Sequence, residues 1–141
     1  MKLVIDNSVV MRWLFNDGSD ADREYAKKIS SLVETHDVYV PALFVPEAAN
    51  VISRALKAKV ISQLDTAAYF DLIDDMAAHV MSPEDTRAVK QLTLRSLDDG
   101  LSSYDATYLL LAENLGCPLA TIDQDLRKAA VKRSVVVACW P

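Results

Sequence analysis

Apolar residues along this chain fall into two alternating rhythms: short unbroken runs, and longer stretches at helical spacing. Leu3, Val4 and Ile5 are consecutive, as in a strand buried on both faces, so Lys2–Asp6 reads as a strand. Asn7-Ser8 breaks that run, and Val9–Phe15 continues as a short helix. After the Asp17-Gly18 turn, Ser19 or Asp20 caps a helix to about Glu34, with Ala21, Tyr25, Ile29, Leu32 and Val33 near helical spacing. Val38–Val40 reads as a second strand, and Pro46 suits the first turn of a helix reaching about Lys59. Ser62 with Asp65 opens a further helix through Met76, His79–Met81 reads as extended, and Ser82-Pro83-Glu84 starts a helix that ends by Leu97. Ser102 is a good N-cap, Asp105 takes the third helical position, and Gly116 followed by Pro118 stops that helix. Leu119–Ile122 is then a strand, Leu126–Val131 a short helix, and Val135–Cys139 a last strand.

Strands alternating with helices imply an α/β fold with a central parallel sheet. In such sheets ligands bind beyond the carboxyl ends of the strands. The 141 residues suit one domain spanning 1–141, large enough to bury a core without disulfides or metals. Only 3 Gly and 5 Pro are present, which argues against a loop-rich or disordered chain.

Four acids stand out against this pattern: Asp6, Glu47, Asp105 and Asp123. Asp6 and Asp123 end apolar strand-like runs, and Glu47 and Asp105 lie at helix starts that should open near the same sheet edge. Each has an ordinary reading taken singly. Asp105 fits a capping box, Glu47 is favoured by a helix dipole, and Asp6, Asp123 or Asp125 could cap a helix. Taken jointly, two strand-end and two helix-start acids fit one convergent site. Carboxylates gathered in one place repel each other, and a divalent cation offsets that cost. Oxygen-only ligation selects Mg²⁺ or Mn²⁺ and points to phosphate chemistry. The two histidines, His36 and His79, are not at metal-ligand spacing, which argues against zinc.

The segments LVIDNSVVMRWLF, VPEAANVISRAL and GLSSYDATYLLLAENLGCPLATIDQDLRKAA resemble, in that order, the PIN-domain ribonucleases, and most of all the VapC toxins of type II toxin–antitoxin systems. The resemblance covers nearly the whole chain. It implies a single three-layer α/β/α PIN-like domain. It also implies Mg²⁺- or Mn²⁺-dependent endonucleolytic hydrolysis of RNA by a metal-activated water. Carried over residue by residue, Asp6, Glu47, Asp105 and Asp123 match the family's acidic quartet. Asp6, Asp105 and Asp123 would be metal ligands, with Glu47 completing the site. Ser8 and Thr121 match small hydroxyl positions that orient acids or water, and Asp125 is an extra acid, read here as a helix cap rather than a water-mediated ligand. The resemblance further implies a cognate antitoxin partner and a homodimer. The alternatives are an RNA-processing PIN nuclease without an antitoxin, and a non-catalytic Mg²⁺-binding regulatory domain.

Other features change this picture less. A net charge of −5 is a poor global match to a nucleic-acid binder, so RNA contact must rest on the metal or on local basic patches. Of these, Arg127-Lys128 with Lys132-Arg133 lies closest to Asp123 and is the preferred backbone contact, while Arg54, Lys57 and Lys59 and Lys27-Lys28 read as solvated faces. Arg12 could reach a phosphate, and Trp13 reads as core. Tyr69, Phe70, Leu72, Ile73 and Met76 form an apolar face that reads as core, or in part as an interface, as does Val51–Leu56. Cys117 and Cys139 read as reduced thiols, the second in a strand. No apolar run approaches a membrane span, so a cytoplasmic protein is expected.

Overall fold

The computed structural model of the protein describes residues 1–82 and 85–141. Four strands form one sheet in the order β3-β2-β1-β4: β1 (Lys2–Ile5), β2 (Asp37–Pro41), β3 (His79–Met81) and β4 (Leu119–Ala120). All three pairings are parallel, with Lys2 beside Asp37, Val4 beside Leu119, and Tyr39 beside His79. The unbroken Leu3-Val4-Ile5 run is explained by this order. The strand β1 is internal, and Leu3, Val4 and Ile5 are buried on both faces of the sheet.

Two helices separate each strand from the next: α1 (Asn7–Leu14) and α2 (Asp20–Val33), then α3 (Phe44–Lys57) and α4 (Gln63–Asp75), then α5 (Ala88–Asp99) and α6 (Ser103–Leu115). After β4 comes α7 (Gln124–Lys132). The chain leaves β1 toward β2 and β3, then returns to the other side of β1 to place β4. The carboxyl ends of β1 and β4 therefore flank the point where strand order reverses, the usual place for a ligand crevice in open parallel sheets.

Helix α6 lies across β1, β2 and β4. It buries Ala106, Tyr108, Leu109 and Ala112, and each large apolar side chain there contributes about 1.5–3 kcal/mol. Ser102 caps its start by accepting from the Asp105 amide at 3.1 Å, and Gly116 ends it at φ +61°, where a Cβ would be strained.

Several expected boundaries move. Helix α1 begins at Asn7, directly after β1, so Asn7-Ser8 ends the strand but opens the helix. The expected start of α5 falls on Pro83 and Glu84, which lie outside the described residues; the helix seen begins at Ala88. Val135–Cys139 is not a strand. Only Val137 bridges to Leu119, and Cys139 turns away at φ +54° in an exposed position. The chain turns at Ala138 and Cys139, so pairing with β4 stops after this one bridge. Among the described residues, no helix is long and apolar enough to cross a membrane.

Candidate functional site

The corner between β1 and β4 is organised around one carboxylate. Asp6 follows the last residue of β1 and is only 6% exposed. It occupies the N-cap position of α1 but makes no side-chain cap bond. Its Oδ2 instead accepts two hydroxyls, Ser8 Oγ at 2.7 Å and Thr121 Oγ1 at 2.8 Å. Those hydroxyls are themselves held. Ser8 Oγ accepts the Ile122 amide at 3.2 Å, and Thr121 Oγ1 accepts the Asp123 amide at 3.1 Å. Burial raises the Asp6 pKa, the two hydroxyls oppose that rise, and the charges of Glu47 and Asp123 add to it. A carboxylate taken out of water costs several kcal/mol, and each hydrogen bond to it returns about 1.5–3. The two hydroxyls offset part of that cost, and the Asp6 pKa stays raised.

Asp105 shows how the same local pattern yields two outcomes. Ser62 and Asp65 close a complete capping box at α4, the Ser62 amide donating to Asp65 at 2.9 Å, and this lowers the pKa of Asp65. Ser102 and Asp105 have the same spacing, and Ser102 caps the Asp105 amide, but the Asp105 carboxylate does not return to the Ser102 amide. It is half-buried, and its pKa is raised to about 6, first by desolvation, then by the charges of Asp6 and Asp123, with Asp125 adding a smaller push. An acid that declines its cap and sits among like charges is under electrostatic load.

The other two acids are anchored. Asp123 Oδ1 accepts the Leu126 amide at 2.8 Å, so Asp123 caps α7. The cap role expected of Asp125 therefore belongs to Asp123, and Asp125 stands exposed in the first turn. Glu47, in the first turn of α3, accepts the Tyr108 hydroxyl on Oε1 at 2.7 Å. Burial raises its pKa, the tyrosine opposes that, and Asp105 raises it further. Tyr108 has no exposed surface and lies in the apolar run of α6. Nothing in its local sequence marks a partner 61 residues away.

The four acids thus come to one edge of the sheet and act on one another's ionisation. Among the described residues, no three acidic, thiol or imidazole groups already stand close enough to share one ion. Bringing three carboxylates onto a cation takes side-chain rotation. Asp6 has Oδ1 for this, since both hydroxyls bind Oδ2. Asn7, in the adjoining first turn of α1, buries its Oδ1 without a hydrogen-bond partner among the described residues. A donor set of carboxylate and amide oxygens under mutual repulsion fits a hard divalent cation.

Burial and ion pairing narrow the basic cluster expected to meet RNA. Arg127 is 6% exposed. Its Nε donates to the Thr121 carbonyl at 2.8 Å, and its guanidinium lies 4.6 Å from the Tyr25 ring and 5.4 Å from the Trp140 ring. Arg133 and Lys132 bind Asp99 at the end of α5. Of that cluster only Lys128 projects to solvent without an ion pair among the described residues. Arg12 pairs with Asp17 at 2.8 Å. Trp13 packs against the core, with Nε1 donating to the Ala26 carbonyl at 2.7 Å. His36 lies in the loop before β2 beside the Leu32 carbonyl, and His79 opens β3 and stacks on Tyr39. On α4, Tyr69 and Ile73 pack on the core while Phe70 and Leu72 are exposed; Met76, the residue after that helix, is buried.

The parallel sheet, its strand-order reversal and the acidic edge define a PIN domain. The PIN domain family model matches residues 3–132, and the chain belongs to that family, whose members are generally nucleases. No curated protein matches the sequence. The fold is similar to that of PAE2754 from Pyrobaculum aerophilum, at 21% identity over 92% of this chain and 84% of that one, with a TM-score of 0.63. It is similar to FitAcB from Neisseria gonorrhoeae, at 17% identity over 96% of this chain and 95% of that one, with a TM-score of 0.65. It is also similar to VapBC2 from Rickettsia felis, solved bound to a DNA fragment from their promoter, at 11% identity over all of both chains, with a TM-score of 0.63.

Proposed function

We propose that the protein is a divalent-metal-dependent endoribonuclease acting as the toxin of a VapBC-type pair, with Asp6, Glu47, Asp105 and Asp123 as its catalytic acids. One observation carries this reading above the rest. A buried aspartate held by two hydroxyls shares a sheet edge with three further acids, one of them loaded to a pKa of about 6. Structural caps do not need that load, and a site for a cation does.

In this reading Asp6, Asp105 and Asp123 hold Mg²⁺ or Mn²⁺. When bound, that cation would polarise a phosphodiester, offset charge in the transition state and make water more acidic. Ser8 and Thr121 favour the ionised form of Asp6 and aim it by donating to Oδ2. Glu47 accepts a proton from the attacking water with the oxygen that Tyr108 does not engage. Water attacks phosphorus in line, the P–O bond to the next nucleotide breaks, and the leaving oxygen takes a proton from solvent. Burial and the charge of Asp105 raise the pKa of Glu47, which makes it a better proton acceptor than an ordinary surface glutamate. The antitoxin partner is carried over from the VapC resemblance with support from the likeness to FitAcB and VapBC2, and the homodimer from the resemblance alone.

The test is cleavage of RNA by purified protein with Mg²⁺ or Mn²⁺, comparing wild type with Asp6→Asn and Asp105→Asn. Both variants should lose at least about 100-fold in rate, the scale of losing one charge-stabilising group. Full activity in both would end the assignment. Growth arrest on expression, abolished by Asp105→Asn and by a co-expressed antitoxin, tests the toxin role.

A further inference from the structure

We propose that Tyr108 is a positioning residue for this site, fixing the Glu47 carboxylate through the 2.7 Å hydrogen bond from its hydroxyl, an inference that rests on the nuclease reading above. The ring of Tyr108 is wholly buried, so packing sets the position of its hydroxyl before any bond forms. Glu47 is different. It projects from the first turn of α3, partly in solvent, on a side chain with three rotatable bonds. A rigid post on one helix therefore fixes a mobile carboxylate on another. Tyr108 also stands one turn after Asp105, so α6 carries both a loaded acid and the anchor for a second one. The phenol pKa is raised by burial and by Glu47, which keeps the hydroxyl a donor throughout the working pH range. Among the described residues only Oε1 is engaged, leaving Oε2 to face water or a cation.

The plainer explanation is that a buried phenol simply needs an acceptor. A backbone carbonyl would serve that need. Glu47 is a costly choice, already desolvated and facing the charge of Asp105. Phenylalanine would fill nearly the same volume, so the hydroxyl can be removed while the packing stays.

The experiment compares Tyr108→Phe, Glu47→Gln, Glu47→Asp and the Tyr108→Phe/Glu47→Gln double variant. Readouts are RNA cleavage, Mn²⁺ binding by calorimetry and thermal melting. Tyr108→Phe should melt close to wild type, lose about 10–100-fold in kcat with little change in KM for RNA, and bind Mn²⁺ about 10-fold more weakly. Glu47→Asp keeps the charge but shortens the reach to the phenol, and it should show the same split. Adding Tyr108→Phe to Glu47→Gln should change neither cleavage nor Mn²⁺ binding further. Independent, additive losses in the double variant would overturn the inference, as would full activity of Tyr108→Phe beside an inactive Glu47→Gln. If Glu47→Gln itself cleaves at the wild-type rate, the catalytic role of Glu47 fails first and this inference falls with it.

Discussion

The hydroxyl of Thr121, just past β4, donates to Asp6 at the end of β1 across 2.8 Å, joining residues 115 apart in the chain. This bond spans the point where strand order reverses, and it ties the two halves of the crevice together. Thr121→Val keeps the shape and removes the donor. The Asp6 carboxylate then has only Ser8, and its pKa, already raised by burial, climbs further. A group with a raised folded pKa supports stability at low pH and loses that support as pH rises through the folded value. Thr121→Val should therefore unfold more easily than wild type at pH 7, by about 1–3 kcal/mol in urea denaturation, with a smaller gap near pH 4. An equal gap at both pH values would count against the bond.

The pKa of Asp105, raised to about 6 from 3.8, gives a second signed expectation. Its contribution to stability is fully present below pH 3.8 and is lost as pH rises through about 6. Asp105→Asn removes that penalty. The variant should be more stable than wild type at pH 7 by roughly 1 kcal/mol, discounted from the full displacement because the side chain is half in water. Cleavage at subsaturating Mn²⁺ should run the opposite way, rising with pH through about 6 in wild type as the metal-free Asp105 ionises and can take the cation, and absent in Asp105→Asn. Melting curves and rate profiles between pH 4 and 8 read both, and a wild type that melts at the same temperature throughout would refute the first.

Arg127 couples the carboxyl-terminal segment to the same corner. It holds the Thr121 carbonyl while Tyr25 and Trp140 stack on its guanidinium, and the Tyr25 hydroxyl donates to the Ala138 carbonyl at 2.7 Å. Arg127→Lys keeps the charge but loses the planar fork and the stacking. It should destabilise the protein by about 1–3 kcal/mol in urea. Unchanged stability in that variant would show the stacked arginine to be ornamental.

The sequence made the sheet and the acids legible for local reasons. Leu3-Val4-Ile5 is continuous because β1 is internal, and the strand-end and helix-start positions of Asp6, Glu47, Asp105 and Asp123 follow from the punctuation around them. What stayed hidden is what depends on distant partners. Ser62-x-x-Asp65 and Ser102-x-x-Asp105 look alike, yet only the first closes its box, and the second lies in the field of Asp6 and Asp123, which no local pattern shows. Tyr108 looked like any other apolar helix position, and Arg127 like part of a basic face. Val135–Cys139 has strand-like residues, but the chain turns at Ala138 and Cys139 after a single bridge.

The stacking of Trp140 on Arg127 gives the protein an optical reporter of its own. The chain has two tryptophans, and Trp13 is committed to the Ala26 carbonyl on the helical side of the core. Trp140 sits instead against the guanidinium that grips the Thr121 backbone, one residue's width from the hydroxyl on Asp6. Emission from a Trp13→Phe variant would come from Trp140 alone. Its change on adding Mn²⁺ would follow the tightening of the acidic corner without any label or substrate.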